Sequence, residues 1–229
     1  MPHTSNSIPD ATIAPKQIIM RTMKSIATVL MLMLGTTLFA QIEAGNILIT
    51  AGYELGFGYS QSVEINGDEI DDEFFEDVSQ TSGLVRVDAQ YAVADAISAG
   101  IVGRFGSFTS EPDDEDLDES KINVFEVGVE GRYSLVNSET ANVYVAPSFG
   151  ISSGKDDDIP DGADEDDFKY SGTFYQVAAG GIYFINEMVG VNARVGFGGH
   201  SWTNDNDPDN EVKLTSTGLE ASAGVVILL

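Results

Sequence analysis

The stretch Asn46–Ser60 reads NILITAGYELGFGYS, and its reading decides the fold. Its odd positions are Ile47, Ile49, Ala51, Tyr53, Leu55, Phe57 and Tyr59. Its even positions are Leu48, Thr50, Gly52, Glu54, Gly56, Gly58 and Ser60. Successive side chains of a β-strand point to opposite faces, so this alternation makes one face apolar and the other small or polar. Downstream, no window carries a comparable helical period.

The two-faced pattern recurs seven times. The second strand, near Thr81–Ala94, sets Val85, Val87, Ala89, Tyr91 and Val93 against Arg86, Asp88 and Gln90. Ile97–Thr109 sets Ile97, Ala99, Ile101 and Phe105 against Ser98, Arg104 and Gly106, and Ile122–Leu135 sets Phe125, Val127, Val129 and Tyr133 against Glu126, Gly128, Glu130 and Arg132. Ala141–Ser153 follows, with Pro147 a blemish that calls for a bulge or a gap in pairing, because proline removes a ladder donor. Tyr170–Phe184, Val189–His200 and Val212–Leu229 complete the set.

Connections alternate too. Ala94–Ala96, Val136–Thr140 and Ile185–Met188 are short; Gln61–Gln80, Ser110–Lys121, Gly154–Lys169 and Ser201–Glu211 are long and acidic. Eight strands joined this way put all long loops at one end and both termini at the other. The expected fold is therefore all-β: an eight-stranded antiparallel up-and-down transmembrane barrel, with short periplasmic turns and long external loops.

Three features say which face meets lipid. The apolar face carries aromatic residues at both rims: Phe57, Phe105, Phe149 and Phe197 before the long loops, Tyr91, Tyr133 and Tyr183 before the short turns. Such girdles flank the outer band of membrane barrels. The other face carries Arg86, Arg104, Arg132 and Arg194 with Glu54, Asp88, Glu126, Glu130 and Glu220. A lipid-facing arginine at mid-membrane costs about 2–4 kcal/mol, so this set belongs inside, where guanidinium–carboxylate pairs can form. The rest of that face reads as Gly, Ser and Ala, and eight strands enclose a space that side chains fill.

Composition narrows the function. The 229 residues carry a formal charge of −26, which excludes a basic nucleic-acid-binding surface, and the absence of cysteine removes disulfides and thiolate sites. From Met23 the chain reads Lys24, an apolar run Ile26–Leu34, then Gly35–Gln41. This is the pattern of a secretory signal peptide over 23–40, cleaved after Ala40 or, as the second option, Ala44. Residues 1–22 read as an upstream extension outside the fold, with translation starting at Met20 or Met23, and the barrel occupies 46–229.

On the leader ending Leu38-Phe39-Ala40-Gln41, the strand Tyr53–Tyr59 and the Val191–Gly198 strand with its apolar successor, the chain resembles the small bacterial outer-membrane β-barrel superfamily, of the OmpX and OmpA-transmembrane-domain type. The resemblance implies an outer-membrane protein embedded in lipid and lipopolysaccharide. Members usually end in an aromatic residue read by the assembly machinery, whereas this chain ends in Leu229.

The acidic loops read as solvated segments, able to attract divalent cations. Asp205, Asp207 and Asp209 alternate as in calcium loops, but Pro208 interrupts them and the EF-hand glycine and distal bidentate glutamate are missing. His200 beside Ser201 reads as a rim residue, and adjacent strand residues point apart, so the pair is poorly placed for catalysis. The expectation is a monomeric, non-enzymatic surface barrel without a cofactor. A porin-like channel for small solutes is the alternative, followed by a lipid-modifying enzyme or a soluble ligand-binding barrel.

Overall fold

The computed structural model describes residues 41–69, 78–112, 119–156, 169–204 and 212–229. Residues 1–40, read as leader and upstream extension, most of the acidic runs, and Asp205, Asp207 and Asp209 lie outside the described residues. Within them the chain forms β1 (Ile47–Ile65), β2 (Asp68–Glu69), β3 (Val78–Ala94), β4 (Ile97–Pro112), β5 (Ser120–Asn137), β6 (Ala141–Asp156), β7 (Lys169–Phe184), β8 (Val189–Asn204) and β9 (Val212–Leu228). Strands pair antiparallel in chain order, and β1 also pairs with β9. The sheet thus closes into a barrel of eight strands. The two-residue β2 folds back on the end of β1 through Asn66-Gly67, both at positive φ as a two-residue hairpin turn requires.

Strands run further than the alternation reaches. Gln61–Ile65, read as loop from the sequence, continues β1 and pairs with Val212–Ser216. Val78–Gln80, Ser110–Pro112, Gly154–Asp156 and Ser201–Asn204 are likewise strand rather than loop. Polar residues occupy both faces there, Gln61 and Ser216 on one and Ser62, Glu64, Lys213 and Thr215 on the other, so the hydrophobic period fades while the backbone ladder continues.

Pro147 sits opposite Val177 in an unbroken β6–β7 register. On its other side the ladder passes from Glu130↔Ser148 to Tyr133↔Val145, leaving a local gap at Pro147 and Ala146.

One inversion corrects the sequence reading. Tyr59, placed there on the apolar outer face, points into the barrel and is buried. The register passes from Phe57↔Leu219 to Ser60↔Thr217, so Gly58 and Tyr59 together face Gly218. This is a β-bulge with glycine in the left-handed region, at φ 64°, and one extra residue reverses the parity of everything beyond it.

A second correction concerns what fills the barrel. Its inner face is not limited to charges and small residues. Tyr59, Leu84, Phe108, Val124 and Trp202 form an apolar cluster toward the long-loop end, and Leu48, Tyr144, Ile182, Phe184 and Val226 belong to another at the short-turn end. Inward glycines make the space: a Cβ at Gly128 would lie 2.8 Å from the Phe174 ring, and one at Gly180 2.6 Å from that of Tyr144.

The bulge can be tested. Space around Gly58 is open, so Gly58→Val meets only the cost of a left-handed backbone, about 1–2 kcal/mol. Urea unfolding of the protein refolded in detergent is expected to show that loss; unchanged stability would contradict the bulge.

Candidate functional site

The alternation that turns apolar side chains outward sends nine ionisable ones inward. Glu54, Arg86, Asp88, Arg104, Glu126, Glu130, Arg132, Arg194 and Glu220 are all buried, none more than 5% exposed. They meet in two connected layers between the apolar clusters.

The layer nearer the short turns is built on Glu130 of β5. Arg86 Nη2 and Arg194 Nη1 both donate to Glu130 Oε2, the second at 2.8 Å, and Arg132 Nε reaches Oε1 at 2.9 Å. Gln90 Nε2 adds a 3.3 Å bond to Oε1. Arg132 also bonds Asp88 Oδ1 at 2.6 Å, and its guanidinium lies 4.9 Å from the centre of the Tyr144 ring. Three cations around one carboxylate would repel one another if Glu130 did not lie between them.

The other layer is built on Arg104 of β4. Its guanidinium faces Glu54 at 2.9 Å, Glu126 at 2.7 Å and Glu220 at 3.3 Å, and stacks 4.2 Å from the centre of Phe174. Gln176 joins the layers, receiving a hydrogen bond from Arg194 and donating to Glu54 and Glu220. Several of these bonds connect strands three places apart among the eight: Arg194–Glu130, Arg104–Glu220 and Gln176–Glu54. They cross the lumen rather than running along its wall.

His200, read from the sequence as a rim residue, belongs to this network. Its Nδ1 lies 2.9 Å from Glu126 and its Nε2 2.9 Å from Glu220, and the side chain is buried. Trp202 stacks on the imidazole at 5.2 Å, and Phe108 meets it edge-on at 4.7 Å. Both ring nitrogens face carboxyl groups, and with both of these ionised the two contacts are satisfied by the imidazolium, which donates from each nitrogen. The four arginines and this imidazolium then match the five carboxylates. Strand parity carried past Gly198 points His200 and Trp202 inward; ending the strand at the long-loop boundary concealed it.

Among the described residues, the outward face of the apolar belt carries no such network. Phe57, Tyr91, Phe105, Tyr133, Phe149, Tyr183 and Phe197 are all exposed: the tyrosines lie near the short turns, whereas the phenylalanines fall near the middle of their strands, which continue beyond them. Tyr53, Phe125 and Tyr175 also point outward, on the face the alternation assigns them, although they were not counted among the rim aromatics. Phe125 pairs with Phe105 and Tyr175 with Phe149, so these rings sit side by side across strands. Among the described residues, no three His, Asp or Glu side chains are grouped to hold a metal ion.

No protein-family model matches the chain, and no curated protein sequence matches it. Solved structures do. The outer membrane protein OprG from Pseudomonas aeruginosa superposes with a TM-score of 0.58 at 12% identity, over 85% of this chain and 99% of that one. Neisserial surface protein A superposes with a TM-score of 0.51 at 13% identity, over 80% and 98%. The chain has the fold of the small eight-stranded outer-membrane β-barrels. At such identities the likeness is one of architecture, and the lumen chemistry has to be read from this chain's own residues.

Removing one partner of a buried ion pair strands the others and costs about 3–5 kcal/mol, whereas an exposed pair contributes up to about 1 kcal/mol. Glu130→Ala is therefore expected to destabilise strongly. Glu64→Ala breaks a partly exposed 2.9 Å pair with Lys213 and should change little. Urea titrations of the two variants in lipid vesicles give the comparison; equal losses would show that the lumen network does not hold the barrel.

Proposed function

We propose that this protein is an integral outer-membrane β-barrel with a non-enzymatic, surface-presenting role: a plugged scaffold that holds acidic loops outside the cell. The observation that carries the reading is the inverted distribution of side chains. Exposed positions around the barrel are Ile, Leu, Val, Phe and Tyr, including Ile101 and Ile151, each 63% exposed, while the charged residues at the same level of the sheet, among them Arg86, Arg104, Glu126, Glu130 and Arg194, are buried. Soluble monomers rarely expose contiguous apolar patches beyond a few hundred Å². A closed barrel pairs its backbone groups internally and leaves no edge, which is what a lipid environment demands. The fold shared with OprG and Neisserial surface protein A agrees with this placement.

The orientation follows from export. The leader directs the chain across the inner membrane, and short turns and both termini stay periplasmic while the four long connections face outward. Lipid and lipopolysaccharide are then the immediate partners, with divalent cations bridging acidic loops to anionic headgroups. A monomer suffices, because closure leaves no sheet edge to pair.

The lumen argues against the porin-like alternative. Bridges between strands three places apart occupy the axis, and aromatic or aliphatic side chains close it above and below. Catalysis finds little support either, since both nitrogens of His200 are committed to carboxylates and neither is free to activate a serine.

Two measurements test the proposal. The protein should sediment with outer membranes and migrate faster on gels unless boiled, the heat-modifiability of a folded barrel. Recovery in the soluble fraction without detergent would overturn it. In planar bilayers the purified protein should give no discrete conductance steps; reproducible steps would favour the channel.

A further inference from the structure

Residues 41–46 precede β1 and lie across the barrel's short-turn mouth. Ile42 is 5% exposed and packs with Leu48, Ala92, Tyr144 and Ile182 in the apolar cluster that closes this end. Its backbone is held on both sides by one side chain. Ile42 N–H donates to Asn137 Oδ1 at 3.2 Å, and Asn137 Nδ2 donates to Ile42 O at 2.7 Å. The same Nδ2 donates to Asp95 O at 2.6 Å, and Ala44 N–H donates to Asp95 Oδ1 at 3.3 Å. Asn137 ends β5, which lies three places from β1 among the eight strands, so the segment spans the opening. The void beside Ile42 measures about 10 Å³, about one water's worth.

We infer that residues 41–44 are a built-in stopper for this mouth, and that the leader is removed on the N-terminal side of Ile42, at the Ala40–Gln41 bond rather than after Ala44. The inference rests on the chain being exported with a cleaved leader, as proposed above. Processing is hydrolysis by a signal peptidase: water adds across the Ala40–Gln41 amide, leaving a carboxylate on Ala40 and a free amino group on Gln41. Cleavage after Ala44 would carry Ile42 away, expose the Leu48, Tyr144 and Ile182 side chains, and leave the Asn137 amide without its two backbone partners on Ile42. A small residue at position 40 before polar Gln41 suits the peptidase.

N-terminal sequencing of the protein isolated from cells is the first test. Gln41, as the free amine or cyclised with loss of ammonia, is expected as the first residue; Gly45 would overturn the inference. A chain that begins at Gln41 yet fractionates as soluble would sink the membrane reading and leave this one standing. The second test is Ile42→Ser in the full chain. Its heat-modifiability transition should fall by about 5 °C, while emission from Trp202, the chain's single tryptophan and buried in the cluster near the opposite end, stays at the wild-type wavelength. Coincident transitions for wild type and variant would show that Ile42 closes nothing.

Discussion

Closure of β1 onto β9 is the constraint on which everything else depends. Ile47 N–H donates to Leu229 O at 2.9 Å and Leu229 N–H to Ile47 O at 2.8 Å, so the first and last strands are joined at their outermost residues. Once the sheet is closed, each strand side chain points either to the lumen or to the surroundings. A register slip of one residue would exchange the two sets along a strand, driving its charges out and its valines in. Closure thus converts a period of two in the sequence into a radial separation of chemistry.

The charges then make the register specific. Buried ion pairs seldom add net stability, because desolvation offsets much of their attraction. Their partners here are set by strand order: Glu130 on β5 collects arginines from β3, β5 and β8, and Arg104 on β4 collects carboxylates from β1, β5 and β9. Moving one strand along its neighbours would strand several charges together. The network is accordingly a device that penalises wrong pairings more than it rewards the right one.

Much of this was legible in the sequence because the relevant signals are local. Alternation from Ile47 to Phe57 needs no knowledge of neighbours, and neither does the parity that puts Arg86 and Asp88 on the face opposite Val85 and Val87. Tyr59 was misplaced because its orientation depends on a bulge at Gly58, and Gly52 and Gly56 in the same strand create none. The glycines look alike; only the pairing with β9 distinguishes them. His200 and Trp202 were missed differently. The parity was there, but the strand was ended at His200, taken as a rim residue, and everything from Ser201 on was read as loop, since a hydrophobic period cannot mark a strand extending past the apolar belt. The large inward rings of Phe108 and Phe174 were hidden by the premise that an inner face must be small or polar.

That premise fails for a physical reason. A charged lumen open at both ends would admit water, which would weaken each pair and let the arginines exchange partners. Tyr59, Phe108 and Trp202 close one end, and Leu48, Tyr144 and Ile182, with Ile42 tucked across them, close the other. Between these lids the local dielectric is low, so an unpaired charge becomes expensive and a paired one geometrically fixed. His200 sits at the boundary, its ring faces against aromatic residues and its nitrogens against carboxylates, so it ties the outer lid to the network. The apolar residues inside the barrel are therefore what allow its charges to specify the register.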